Sequence, residues 1–196
     1  MIAIIDYCAG NLRSVHKAFA YLGVEAIITG NAETIAAADK IVLPGVGHFS
    51  SLRALDQTGV RQILLQAVSA GKPFLGICLG MQWLFEGSEE STGSAGAGIF
   101  PGKCQRFPSS VKSPHVGWNS LAVQADSRLL RGIAQSAFVY YTHSFHVPVG
   151  IGTTAVSDYG LQFSAAVEKD NVSGVQFHPE KSGDIGLSIL KNFCEI

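Results

Sequence analysis

The sequence predicts an α/β fold with an open, mainly parallel sheet flanked by helices and an antiparallel addition. Short apolar runs alternate with helical patterns through the first 85 residues, which is typical of parallel strands joined by right-handed crossovers. Hydrophobic residues make up 47% of the chain and charged residues only 15%, so much of the chain must be buried. Because there is no internal repeat or long linker, we expect a single domain over residues 1–196.

The first half of the chain carries the predicted parallel strands and most of the predicted helices. Apolar runs bounded by Gly, Asn or Pro predict strands at residues 1–5, 24–29, 40–43 and 73–77. Continuous apolar strands suit a parallel sheet, which is buried on both faces. Apolar residues at spacings of three and four predict two helices between them, and a further helix opens at residues 81–85. The two stripes are Leu12, Val15, Phe19 and Leu22, ended by Gly23, and Val60, Ile63, Leu64, Ala67 and Val68, ended by Gly71.

The pattern changes after residue 86. Residues 87–98 are rich in Gly, Ser and Ala and are predicted to form a mobile surface loop. A last helix is predicted from about Ile185. Strand-like runs fill the region between, at residues 99–107, 118–123, 138–141, 151–156, 161–167 and 172–177.

Charge and cysteine usage exclude several classes of function. A net charge of -1 provides no field that would attract nucleic acid or an anionic membrane. No run reaches 18 apolar residues, and the first residues carry no basic leader, so we expect a cytoplasmic protein with reduced thiols. The four cysteines form no C-x-x-C pair and the histidines follow no metal-binding spacing, so neither a disulfide framework nor a metal site is expected.

The strongest local motif is Gly76-Ile77-Cys78-Leu79-Gly80, the cysteine version of a nucleophile elbow. Such a turn lifts the thiol out of the sheet at the start of a helix, where the helix N-terminus favours the thiolate. The Leu79 N–H can then stabilise an oxyanion. A buried structural cysteine is the alternative, but the strand before Cys78 and the helix after it favour the catalytic interpretation.

A second motif, His178-Pro179-Glu180, directly follows the strand predicted at residues 172–177. In an extended segment residues i and i+2 project to the same side, so the carboxylate can approach the imidazole. His178 would take the thiol proton, and Glu180 would fix its tautomer and stabilise the imidazolium. Alone, these residues also suit a surface turn. Their combination with an elbow cysteine favours a catalytic triad.

A third segment, Pro44-Gly45-Val46-Gly47, follows the strand predicted at residues 40–43. Open α/β sheets bind ligands at this end of their strands, so these N–H groups could complete an oxyanion hole; a plain tight turn is equally compatible. The sequence contains neither a phosphate-binding loop nor a G-x-G-x-x-G after the first strand, so no cofactor is expected. The residues alone leave open whether His143-Ser144-Phe145 lines the same site.

These motifs together resemble the class I glutamine amidotransferases. The elbow continued by Met81-Gln82, the His-Pro-Glu motif and residues 44–47 carry this resemblance. Other stretches resemble the branch that forms the glutaminase subunit of imidazole glycerol phosphate synthase, and the match runs in order along nearly the whole chain. They are residues 6–7, 10–15, 115–119, 143–145 and 178–193. The sequence departs from the family at Cys8-Ala9, usually a Gly-Met-type pair, and in the composition of residues 87–98.

The resemblance implies a mechanism on L-glutamine. Cys78 would attack the side-chain amide and form a thioester, with His178 and Glu180 completing the triad. The resemblance assigns the oxyanion hole to Val46, Gly47 and Leu79. It assigns the binding of substrate to Gly47, Gln82, His143, Ser144 and Phe145.

The resemblance also implies a heterodimer with a (β/α)₈-barrel cyclase subunit. That subunit would use the ammonia to make imidazole glycerol phosphate for histidine biosynthesis. Asn11, Trp118, Tyr140 and Lys181 are the candidate contacts, with ordinary packing as the alternative. Other functions remain open: the glutaminase of an anthranilate or aminodeoxychorismate type synthase, or a stand-alone cysteine hydrolase. A silent binding partner would lack a triad residue, and this chain has all three.

Overall fold

A computed structural model of the chain describes residues 1–8, 10–124 and 126–196; Ala9, half of the unusual Cys8-Ala9 pair, lies outside them. Six α-helices are assigned in this part, α1 to α6: Leu12–Tyr21, Ala32–Ala37, Arg53–Gln57, Val60–Ser69, Leu79–Trp83 and Gly183–Glu195. The strands β1 to β13 are Ile2–Ile5, Ala26–Thr29, Lys40–Gly45, Phe74–Cys78, Gly87–Ser88, Lys103–Arg106, His115–Ser120, Ala122–Val123, Phe138–His143, Phe145–His146, Thr153–Asp158, Gln162–Lys169 and Val172–Val175.

The main sheet joins a parallel half to an antiparallel half. Within the described residues its order is β2-β1-β3-β4-β13-β12-β11-β8. The pairs from β2 to β13 are parallel, and those from β13 to β8 are antiparallel. Strands β7 and β9 form a separate antiparallel pair, and β10, β6 and β5 form a small third sheet. The predicted fold class is confirmed.

Both faces of the main sheet are covered, which explains why β1 and β4 are apolar throughout. In β1, Ile2 and Ile4 belong to one core cluster and Ala3 and Ile5 to the other, as the alternation of a strand requires. Helices α1 and α6 pack on the first face. Helices α2 to α5 pack on the second face. Within the described part of the chain, none of the helices combines the length and apolar character needed for a membrane span.

Two short helices were not anticipated, because each buries a single apolar side chain. In α2 this is Ile35, and in α3 it is Leu55. A stripe at helical spacing needs at least two such residues. Helix α2 is instead held at its start by a cap, since Asn31 Oδ1 accepts the N–H of Thr34 at 2.9 Å.

After a two-residue strand, the segment at residues 87–98 is an irregular surface loop as expected, but it is also packed and bonded to its surroundings. Its first two residues form β5 and pair with β6. Arg53 Nε donates to Ser94 Oγ at 2.8 Å, and the Phe49 N–H donates to Glu90 at 2.7 Å. A Cβ on Gly96 would lie 2.0 Å from the Phe85 carbonyl oxygen. Small residues therefore serve close packing here. The strand expected at residues 99–107 is correspondingly shorter and begins only at β6.

Candidate active site

The nucleophile candidate sits at a sharp turn between β4 and α5. Cys78 has φ 53° and ψ −105°, in a region that non-glycine residues rarely adopt. The flanking glycines are required for close approach: a Cβ on Gly76 would lie 2.5 Å from the Gly80 oxygen, and one on Gly80 only 1.8 Å from the Leu43 oxygen. The turn therefore places strain on the cysteine itself, as at many functional positions.

The Cys78 thiol is buried and has polar neighbours on two sides. Gln176 Nε2 donates to Sγ at 3.5 Å, and the Thr142 carbonyl oxygen lies 3.9 Å from Sγ as an acceptor for the S–H. Helix α5 begins at Leu79, so the backbone N–H groups of its first turn are free of helical partners. The surroundings of the sulfur thus offer donors to a negative charge.

His178 and Glu180 form a buried pair. Nδ1 of His178 lies 2.8 Å from Oε1 of Glu180, and the two side chains are 1% and 0% exposed. Asn11 Nδ2 donates to the same oxygen at 3.1 Å. The backbone differs from the extended segment assumed from the sequence: His178 is extended, but a 3₁₀ helix covers Pro179–Lys181. The side chains therefore meet across the start of a helical turn.

The pKa of His178 is raised to about 10 by its neighbours Cys78 and Glu180. Burial is the largest single influence and lowers this pKa, but attraction to Cys78 and the charge and hydrogen bond of Glu180 outweigh it. Nδ1 is bound to Glu180, and among the described residues Nε2 has no hydrogen-bond partner within bonding geometry. This nitrogen is therefore free to hold the proton of the thiol.

A cavity of about 270 Å³ opens beside Cys78. It brings together the nucleophile and all the side chains and loop residues that the sequence assigned to the oxyanion hole and to substrate. His178 and Glu180 do not line it. The lining residues are Val46, Gly47, Cys78, Leu79, Gln82, His143, Ser144 and Phe145, together with Glu90, Pro114 and Thr142, which the sequence did not suggest.

One wall of the cavity is stiffened by two neutral histidines. The Phe145 carbonyl oxygen can only accept, so His143 donates from Nδ1 at 2.8 Å, and its Nε2 accepts from His115 Nδ1 at 3.1 Å. Burial lowers the pKa of His143 to about 3 and that of His115 to about 4. Despite these histidines, the described residues hold no group of three or more His, Cys, Asp or Glu side chains arranged for a metal ion.

The four residues suggested as partner contacts lie close together beside the His178–Glu180 pair. Trp118 is 55% exposed, and its ring packs edge-on against Tyr140 at 6.0 Å between centroids. Lys181 Nζ lies 5.7 Å above the Tyr140 ring. Asn11 is half-buried and bonded to Glu180. Val116 and Phe138, on the same two strands, are also exposed. We call these six residues the aromatic face.

Comparison with known proteins identifies the class to which this fold belongs. A model of the class I glutamine amidotransferases matches residues 3–196, and the chain belongs to this family. Two similar relatives are both named imidazole glycerol phosphate synthase subunit HisH. That of Methanothermobacter thermautotrophicus is 48% identical over 197 residues, covering 100% of this chain and 98% of its own. That of Bacillus cereus is 48% identical over 196 residues, covering 98% and 93%.

Solved structures agree on the fold. The structure of PurLQS from Thermotoga maritima contains a chain that matches with a TM-score of 0.77 at 21% identity, over 99% of this chain and 97% of that one. At such low identity the likeness concerns the fold. The family suggested by the sequence motifs is confirmed.

Proposed function

We propose that this chain is the glutaminase subunit of imidazole glycerol phosphate synthase. It hydrolyses L-glutamine to glutamate and ammonia and supplies the ammonia to a cyclase subunit with a (β/α)₈-barrel fold. The carrying observation is full-length similarity, at 48% identity, to two proteins named as HisH subunits. The cavity that joins Cys78 to the expected glutamine-binding residues supports the same proposal. Reduced thiols at all four cysteines suit a cytoplasmic enzyme.

In the first half-reaction, Cys78 is the nucleophile. Its proton passes to Nε2 of His178, and the sulfur attacks the carbonyl carbon of the glutamine side chain. The resulting oxyanion is stabilised by the Leu79 N–H and by the loop at Val46 and Gly47. His178 then gives its proton to the leaving nitrogen, the C–N bond breaks, and ammonia departs from a thioester.

In the second half-reaction, His178 acts as a base toward water. Water attacks the thioester carbon while its proton moves to Nε2, and the C–S bond then breaks to release glutamate and restore the thiol. Glu180 stays ionised and holds Nδ1 throughout, which the 2.8 Å contact supports. No metal or cofactor enters this scheme.

The aromatic face is the proposed docking surface for the cyclase. Its exposed side chains form a contiguous apolar patch with one cation, the composition from which interface hot spots are built. The backbone connects this patch to the triad, because the His178 N–H donates to the Tyr140 oxygen at 2.9 Å. Ser182 Oγ accepts the Tyr140 N–H at 3.0 Å and donates to the His178 oxygen. A partner seated on Tyr140 therefore acts directly on the base.

The test is ammonia release from glutamine by the purified chain, alone and with purified cyclase and its ligand. We expect low activity alone, a rise of at least tenfold with the partner, and no activity from Cys78→Ala. Equal activity with and without the cyclase would refute the subunit assignment. Full activity of Cys78→Ala would refute the mechanism.

A matched pair of variants tests the docking surface. Trp118→Ala removes an exposed aromatic from the aromatic face, and Tyr21→Ala removes one that is 78% exposed at the far end of α1. We expect the first to weaken cyclase binding by about 2 kcal/mol and the second to leave the affinity unchanged. Equal losses would show that the interface lies elsewhere.

Two other functions are distinguished by the same assay. A stand-alone hydrolase would act on esters or peptides without glutamine and would not respond to any synthase subunit. A glutaminase of the anthranilate or aminodeoxychorismate type would respond to its own synthase and not to the cyclase. The relatives' names favour the first proposal.

A further inference from the structure

A buried side chain, which sequence analysis did not single out, connects the nucleophile to the substrate cavity. Gln176 has no exposed surface and lies between Cys78 and Gln82. Its Nε2 is 3.5 Å from the Cys78 sulfur, and its Oε1 is 3.1 Å from Gln82 Nε2. One amide therefore touches both the reacting atom and a residue of the cavity wall.

The orientation of this amide is fixed by a backbone group. Gln82 lies 3.0 Å from the Phe145 carbonyl oxygen, which can only accept, so the atom facing it must be the NH₂ nitrogen of Gln82. That nitrogen also contacts Gln176, which must therefore present its oxygen. The nitrogen of Gln176 is then left to face Cys78, and its N–H points at the sulfur.

A second consequence concerns Gln82. Its two N–H bonds are both used, one by Phe145 and one by Gln176. Only its oxygen remains for the cavity, so Gln82 can accept a hydrogen bond from a ligand but cannot donate one. The two amides are thus ordered: Gln82 offers its oxygen to the cavity, and Gln176 offers an N–H to the sulfur.

We propose that Gln176 is a further residue of the catalytic machinery, which stabilises the thiolate of Cys78 by donating an N–H to the sulfur. This inference rests on the proposed function. A neutral thiol gains little from the donor, whereas a thiolate gains a charge-assisted hydrogen bond. When the sulfur attacks, its charge moves to the substrate oxygen and this bond weakens. Gln176 therefore raises the fraction of Cys78 that is present as the thiolate before the attack.

The test is the rate at which iodoacetamide alkylates Cys78 as a function of pH, followed by mass spectrometry of the peptide that contains it. The method separates Cys78 from the exposed Cys8. Gln176→Met keeps the length and volume of the side chain and removes the donor. We expect the midpoint of the alkylation profile to rise by about one pH unit, which corresponds to about a tenfold smaller thiolate fraction at pH values well below the midpoint.

The steady-state kinetics of Gln176→Met should follow the same profile. We expect kcat below the midpoint to fall about tenfold and to recover toward the parent value as the pH is raised past the new midpoint. A merely structural defect would not be rescued by higher pH. An alkylation midpoint within a few tenths of a pH unit of the parent would overturn the proposal.

A measurement on the unaltered protein covers the case in which Gln176→Met does not fold. The side-chain amide resonances of Gln176 should shift with pH at the midpoint of Cys78 alkylation, and the shift should vanish in Cys78→Ala. Amide resonances of Gln176 that do not shift when Cys78 ionises would overturn the proposal. Alkylation and resonance shifts require no glutamine. If Cys78→Ala still released ammonia, the proposed function would fail while the donor to the sulfur could still be judged.

Discussion

Substitution of Gly80 by alanine is the sharpest test of how the nucleophile turn is built. The new Cβ would lie 1.8 Å from the Leu43 oxygen, and both this oxygen and the Cα of residue 80 belong to the backbone. An ordinary contact begins at 3.4 Å, so the gap must open by about 1.6 Å. No side-chain rotation relieves the clash, and helix α5 must move away from β3.

The expected cost follows from the geometry. Overpacking of a core costs about 1–3 kcal/mol when side chains can adjust, so a backbone clash should cost at least about 3 kcal/mol. For a chain of this length that corresponds to a melting temperature lower by about 6–12 °C. Displacement of Leu79 and Cys78 by about 1 Å should also lower the glutaminase rate of the folded fraction by about 100-fold.

The assay is a thermal melt followed by circular dichroism, with Gly150→Ala as the matched control. Gly150 lies outside the left-handed region, and a Cβ there would meet nothing closer than the Pro148 oxygen at 4.0 Å. We expect the control to melt within about 2 °C of the parent. If Gly80→Ala had the same melting temperature as the control, the close approach to Leu43 would not explain why residue 80 is a glycine, and the reasoning would be refuted.

Two further predictions concern buried polar groups. The Tyr7 hydroxyl is buried and has no hydrogen-bond partner among the described residues. Tyr7→Phe should therefore leave the free energy of unfolding unchanged or raise it by up to about 1 kcal/mol. A decrease of more than about 1 kcal/mol, measured by urea denaturation, would show that the hydroxyl has a partner. His115 and His143 have pKa values lowered to about 4 and about 3, below the unfolded value of 6.5, so their contribution to stability is complete above pH 6.5 and is lost as the pH falls toward 4. When the protein unfolds in urea at pH 5, these two histidines should together bind about two protons. His115→Gln should remove about half of this proton uptake, and an unchanged uptake would contradict the lowered pKa values.

The long elements of the fold were predictable because each has a strong period. The strands β1 and β4 are apolar throughout, and α1 and α4 carry stripes of several buried residues. The end of β3 was not predictable, since a proline at position 44 suggests that the strand stops. Strand β1 pairs with β3 only as far as Val42, so beyond that point Pro44 needs no N–H on that side. This depends on the length of a neighbouring strand, which no local pattern contains.

The candidate site was predictable where a local motif places a side chain, and less so where the fold brings together side chains that are distant in sequence. Cys78 and the His178–Glu180 pair come from local motifs, although the backbone between the latter is a 3₁₀ turn. One feature of the sequence could have indicated Gln176: it lies two residues before His178, and alternation puts both side chains on the same side of an extended chain. No feature of the sequence could have indicated Glu90, because its segment has the composition of a surface loop and is held in place by contacts with residues distant in sequence.

The strand order explains why residues so far apart in sequence meet. Strands β3, β4 and β13 are adjacent and parallel, so their carboxyl ends lie at one edge, with Gly45 paired to Cys78 and Val175 paired to Ile77. The sheet therefore holds Cys78, the loop that follows β3 and the start of the His178 segment next to one another. The opposite wall of the cavity has a different origin: Thr142 and His143 end β9, which pairs with β7 outside the main sheet.

This division assigns different roles to the two parts of the site. The aromatic face and the cavity wall share strands β7 and β9, and the Tyr140 oxygen holds the N–H of His178. A partner that moved β7 and β9 together would therefore displace both the cavity wall at His143 and the backbone of His178, while the paired strands β3, β4 and β13 keep Cys78 in place. If the proposed cyclase activates this chain through the aromatic face, we therefore expect a small shift of β7 and β9 and no rearrangement of the sheet, because the turn at Cys78 has no room to move.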